Sequence, residues 1–158
     1  MKILKIKALD QETENKLLVI WESSVRATHN FLSDPEINNI KKYVPHALRR
    51  VSHLIVAYDE NEPVAFMGIN DLKLEMLFVA ANQRGTGIGK ALITYGINNL
   101  DINELSVNEQ NPGARSFYEH MGFKAVERSE FDDQGNPYPI LIMKKNLERR
   151  ILMSLTVN

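Results

Sequence analysis

The chain has 158 residues, a formal net charge of −1, 44% hydrophobic and 25% charged residues, and no cysteine. That length suits one domain with its own core, and the near-neutral balance gives no reason to expect nucleic-acid or membrane binding. Disulfides, a thiolate nucleophile and cysteine metal sites are excluded, the histidines show no metal-ligand spacing, and no apolar run reaches membrane-spanning length.

Lys2 to Leu9 alternates charged and apolar residues and predicts a half-buried strand. Met1 to Leu9 lacks the apolar centre of a signal peptide, so a cytoplasmic protein is expected. Asp10 is a candidate N-cap for a helix whose face carries Leu17, Leu18, Trp21 and Val25. Asp34-Pro35-Glu36 predicts a second helix, with Asp34 as cap and Pro35 at its first position. Ile37, Ile40, Val44, Leu48 and Val51 mark its face, and Pro45 should kink it.

His53 to Tyr58 and Pro63 to Asn70 read as a hairpin around the turn Asp59 to Glu62. Leu72 to Ala80 reads as the next strand, followed by a glycine-rich loop and a helix to about Asn99. Glu104 to Asn108 is a short strand. Asn111-Pro112 opens a helix with Ala114, Phe117, Tyr118 and Met121 on one face, closed by Gly122. Two strands, Phe123 to Phe131 and Pro139 to Lys145, complete a domain over 1–146, leaving 147–158 as a tail. Leu147, Ile151, Leu152 and Leu155 give that tail apolar positions for a second copy of the chain.

The loop is the most informative stretch. Gly85, Gly87 and Gly89 alternate between Arg84 and Lys90, with a strand before and a helix after. Glycine permits positive φ and close approach of a ligand to the main chain. Successive N–H groups opening onto a helix N-terminus form a concave site for anions, phosphates above all. A P-loop would need glycine at Arg84 and Ser or Thr at Ala91; the dinucleotide fingerprint would need glycine at Lys90. Both fail.

Arg84-x-x-Gly87-x-Gly89 after Leu77-Phe78-Val79 resembles the coenzyme A pyrophosphate loop of the GNAT superfamily of N-acetyltransferases. Asn111-x-x-Ala114-x-x-Phe117-Tyr118-x-x-x-Gly122-Phe123 resembles that family's second signature. Trp21 to Ser33 and the Asp132-to-Pro139 turn are similar to a bacterial, YjaB-like subgroup. The resemblance covers roughly residues 2–145. It implies an α/β (α+β) GNAT fold: a mixed central sheet flanked by helices, with a splayed strand pair holding the coenzyme.

By the same resemblance the activity is acetyl transfer from acetyl-CoA to a primary amine, with no metal. Main-chain groups of Phe78 and Val79 pair with the pantetheine arm, and Arg84, Gly85, Thr86, Gly87, Ile88, Gly89 and Lys90 hold the pyrophosphate. Ala114 and Phe117 border the coenzyme. Asn111 is a further contact, or simply the cap of its helix.

An alkyl ammonium of pKa ~10.4 is only about 0.04% neutral at pH 7, so its proton needs a route out. Glu75, the one acid in the run Leu72 to Ala80, is the candidate base; otherwise it faces solvent or pairs with Lys73. His29, between Thr28 and Asn30, is the alternative base or a contact to the acceptor. Tyr138, between Pro137 and Pro139, is an acceptor contact or a rigid turn residue. The resemblance implies that Tyr118 lies beside the thioester sulfur as proton donor; otherwise it is a core tyrosine. At an ordinary phenol pKa of ~10, protonating a thiolate of pKa ~8.5 is uphill by about 2 kcal/mol. With no cysteine, direct attack by the amine is the expected route. The competing reading is a CoA-binding module without catalysis; steady release of free CoA with an amine separates the two.

Overall fold

The computed structural model describes residues 1–145, which divide into two compact units, the first Met1–Ile102 and the second beginning at Asn103. The expected apolar tail lies outside the described residues.

In the first unit, β1 (Lys2–Lys5) pairs antiparallel with β2 (His53–Asp59), β2 with β3 (Glu62–Asn70), and β3 with β4 (Lys73–Val79). β1 stops four residues short of Leu9, because pairing with β2 runs only from Lys2 to Lys5. Leu54 to Ala57 and Val64 to Ile69 are buried without interruption, so β2 and β3 are covered on both faces. The β2–β3 turn places Glu60 and Asn61 at φ 49° and 71°, the positive values a two-residue primed hairpin requires.

Asp10 caps α1 (Gln11–Thr28) as expected, accepting from the Thr13 N–H at 2.7 Å. Leu17, Ile20, Trp21 and Val25 pack with Leu54, Val56 and Phe66, while Leu18 is only half-buried. Full burial of each large apolar side chain contributes ~1.5–3 kcal/mol, enough to hold so long a helix on the sheet. Glu14, only 5% exposed, is held by the Arg49 guanidinium.

Two expectations for the next helix are corrected. Its cap is Ser33, not Asp34: Ser33 accepts from the Glu36 N–H, and Glu36 accepts in turn from the Ser33 N–H at 3.0 Å. This reciprocal capping box satisfies two end donors, one more than Asp34 alone could reach. The helix is also not kinked but broken, into α2 (Asp34–Lys41) and α3 (Val44–Arg50). Proline lacks the N–H that would continue the helix, and Pro45 instead sits in the first turn of α3. Val51 is extended beyond α3.

α4 (Ile88–Leu100) follows β4 and buries Ile88, Leu92 and Ile93. In the second unit, β7 (Ile140–Lys145) lies between β5 (Glu104–Asn108) and β6 (Phe123–Ser129), antiparallel to both. α5 (Pro112–His120) packs on β5 and β6. The buried residues here are Leu105, Val107, Tyr118, Phe123, Leu141 and Met143.

Candidate active site

β4 carries two kinds of candidate residue. Phe78 and Val79 pair with Phe66 and Ala65 of β3, and the Phe66 and Phe78 rings lie 5.6 Å apart. The Phe78 side chain therefore packs against the core, while the main chain of both residues remains in the strand. Glu75 stands differently. Leu74 pairs with Ile69 and Met76 with Gly68, so Glu75 is the extra residue of a β-bulge. A bulge re-aims its side chain, and such bulges cluster near active sites. Glu75 is exposed and makes no ion pair with Lys73 among the described residues.

The loop leaves β4 through a single 3-10 turn at Ala81–Gln83. Two braces hold that turn. The Ala81 N–H donates to the Ser23 hydroxyl of α1 at 3.2 Å, and the Thr86 hydroxyl donates to the Gln83 carbonyl at 2.5 Å. Ser23 was not expected here; a partner 58 positions away leaves no sequence signal. Gly85 and Gly87 then adopt φ +77° and +86°, and a Cβ at either would meet no atom within 4 Å. Among the described residues, none of the main-chain N–H groups from 85 to 90 has an acceptor. Arg84 and Lys90 are exposed and form no ion pair with any described residue. Six unpaired donors, an open face and two uncommitted cations fit a pyrophosphate.

His29 caps the C-terminal end of α1, with its ring 5.4 Å from Phe31. Nδ1 lies 2.7 Å from the Thr28 hydroxyl oxygen, and Nε2 has no partner among the described residues. Burial lowers the imidazole pKa below its ordinary value, favouring the neutral ring at pH 7.

In the second unit, Asn111 is indeed a cap: its side-chain oxygen accepts from the Ala114 N–H at 3.2 Å. Its amide group remains available to a ligand. Tyr118 is 9% exposed, with Phe117 5.1 Å and Phe123 6.2 Å away, ring to ring. Its hydroxyl has no hydrogen-bond partner among the described residues. Burial pushes the phenol well above the usual tyrosine pKa. Full proton transfer to a thiolate is therefore costlier than an ordinary phenol suggests, but donation of a hydrogen bond is not impaired. Tyr138 is half-buried after a turn that Asp132 braces through the Gln134 and Asn136 N–H groups, at 2.9 and 2.8 Å.

Residues 8–147 match the family model described as an acetyltransferase (GNAT) domain. The chain belongs to the GNAT family, as an acetyl-CoA-dependent N-acetyltransferase with the α+β fold of that family. Within it the chain is YjaB-like. It is 38% identical over 139 residues to the peptidyl-lysine N-acetyltransferase YjaB of Salmonella typhimurium, covering 88% of this chain and 96% of that one. Escherichia coli YjaB, of the same description, is 34% identical over 88% of this chain and 95% of its own. The solution structure of apo-form YjaB from Escherichia coli superposes with a TM-score of 0.80 at 36% identity, covering 91% and 97% of the two chains. No described helix is long and apolar enough to cross a membrane.

Proposed function

We propose that this enzyme acetylates lysine side chains of proteins, by direct attack of the neutral amine on acetyl-CoA, in the cytoplasm. The observation that carries the reading is the run of N–H groups from 85 to 90 with no acceptor among the described residues, following an exposed bulge carboxylate. Lysine as acceptor is supported by the description of the Salmonella relative.

Bound acetyl-CoA supplies an acyl group already activated as a thioester. Arg84 and Lys90 neutralise the pyrophosphate, and the main-chain N–H groups between them orient it. The Phe78 and Val79 main chain pairs with the pantetheine amides as a strand would. Ala114, Phe117 and the Asn111 amide line the coenzyme. Glu75 takes the ammonium proton, directly or through one water, and His29 and Tyr138 hold the acceptor. Tyr118 donates a hydrogen bond to the sulfur as it acquires charge. No acyl-enzyme is needed, since the chain has no cysteine to carry one.

The test is an acetyl-CoA assay with lysine-containing proteins and free amines. Acetyl-lysine by mass spectrometry, matched mole for mole by free CoA, is the expected result. CoA release only with small free amines would reject the lysine acceptor. Tyr118→Phe keeps the ring and removes only the hydroxyl, so it should leave acetyl-CoA affinity nearly unchanged and lower kcat by ~10-fold or more. Turnover at the parent rate would make Tyr118 a packing residue only.

A further inference from the structure

The end of α1 contains a proton-placing arrangement that fixes one histidine tautomer. The Thr28 hydroxyl oxygen lies 2.8 Å from the Ser24 carbonyl oxygen and 2.7 Å from His29 Nδ1. A hydroxyl has one proton to give. A carbonyl oxygen can only accept. If the hydroxyl proton went to Nδ1, two oxygen lone pairs would face each other at 2.8 Å. Both contacts are satisfied only when Thr28 donates to Ser24 and His29 donates its Nδ1–H to Thr28. The proton of the neutral ring is then on Nδ1, and the lone pair is on Nε2.

The surroundings hold the ring in that position. The His29 N–H donates to the Val25 carbonyl at 2.8 Å, and the His29 carbonyl accepts from the Leu32 N–H at 3.1 Å. The Phe31 ring lies against the imidazole, tilted by 50°. Nε2 is left without a partner among the described residues. In water a neutral imidazole side chain favours the opposite tautomer, with the proton on Nε2.

We propose that Thr28 is a positioning residue, which locks His29 as the Nδ1–H tautomer so that Nε2 accepts a hydrogen bond from the incoming amine. This rests on the reading that His29 contacts the acceptor. Which nitrogen carries the proton is set by the hydrogen bond the other makes, and here that bond is supplied by the preceding residue.

The tautomer is read directly by long-range ¹H–¹⁵N NMR of the full, uniformly labelled chain at neutral pH. A protonated, pyrrole-type Nδ1 and a pyridine-type Nε2 for His29 are expected; a pyrrole-type Nε2 in the parent protein overturns the proposal. Thr28→Val, close in shape, should shift the signals toward the Nε2–H form. It should lower kcat/KM for the amine about 5–10-fold, the effect of one hydrogen bond, with KM for acetyl-CoA unchanged. Thr28→Ser should restore both readouts. A Val variant with altered tautomer but parental kcat/KM overturns the link to the substrate. If His29→Ala is fully active, the acceptor role of His29 falls, and the positioning role of Thr28 falls with it, even where the NMR tautomer stands.

Discussion

Replacing Glu75 by glutamine should lower kcat/KM by about 10²–10⁴ near neutral pH, the usual contribution of a positioned base. The change removes the charge and the proton acceptor but almost no volume. Glu75 is exposed at a bulge, and no described ion pair or hydrogen bond depends on it. Stability should therefore hold, and any loss reflects chemistry rather than folding. The acid limb of the pH–rate profile should also shift or disappear, because glutamine does not titrate. The check is kcat/KM against pH for parent and variant with the same lysine substrate. A variant with parental rate and profile would remove Glu75 from the reaction and make His29, whose Nε2 has no described partner, the base to test.

Gly89→Val should weaken acetyl-CoA binding by about 100-fold or more. Hydrogen bonds to a charged group are worth ~1.5–3 kcal/mol each, so losing two costs ~3–6 kcal/mol, and each 1.4 kcal/mol is a factor of ten. Gly89 is a better site for this test than Gly87. Gly87 sits at φ +86°, where a β-branched residue is strained, so lost binding there would be mixed with lost folding. Gly89 is the second residue of α4 and is not among the positive-φ glycines. Valine there has a slightly better helix propensity than glycine, so the melting temperature should not fall. Calorimetric titration with acetyl-CoA decides the matter. A folded variant with near-parental Kd would reject 84–90 as the pyrophosphate loop.

Much of the local structure around the candidate site is legible in the sequence because its signals are local. Strand, alternating glycines and helix follow one another within seventeen residues from Lys73 to Gly89, and each imposes its own periodicity or φ requirement. The Asp10 and Asn111 caps are local too, each reaching a donor three residues ahead. At the second helix two local signals compete. Ser33 and Asp34 are both good caps, and only the return bond from Glu36 settles the choice. Pro45 predicts a kink because proline removes one helix hydrogen bond; whether the helix restarts depends on what buries Val44 and Leu48.

The sequence by itself determined the family, the loop and the residue types available for proton transfer, since these depend on spacing along the chain. The tertiary structure alone decided what each side chain experiences. That Glu75 is the extra residue of a bulge follows from its pairing with β3, because register is a property of two strands. That Ser23 braces the loop follows from α1 packing near it, 58 residues earlier in the chain. The burial that raises the Tyr118 pKa comes in part from Phe123, which lies on another element. Desolvation and long-range hydrogen bonds depend on which elements meet in space, and distance along a chain does not encode that.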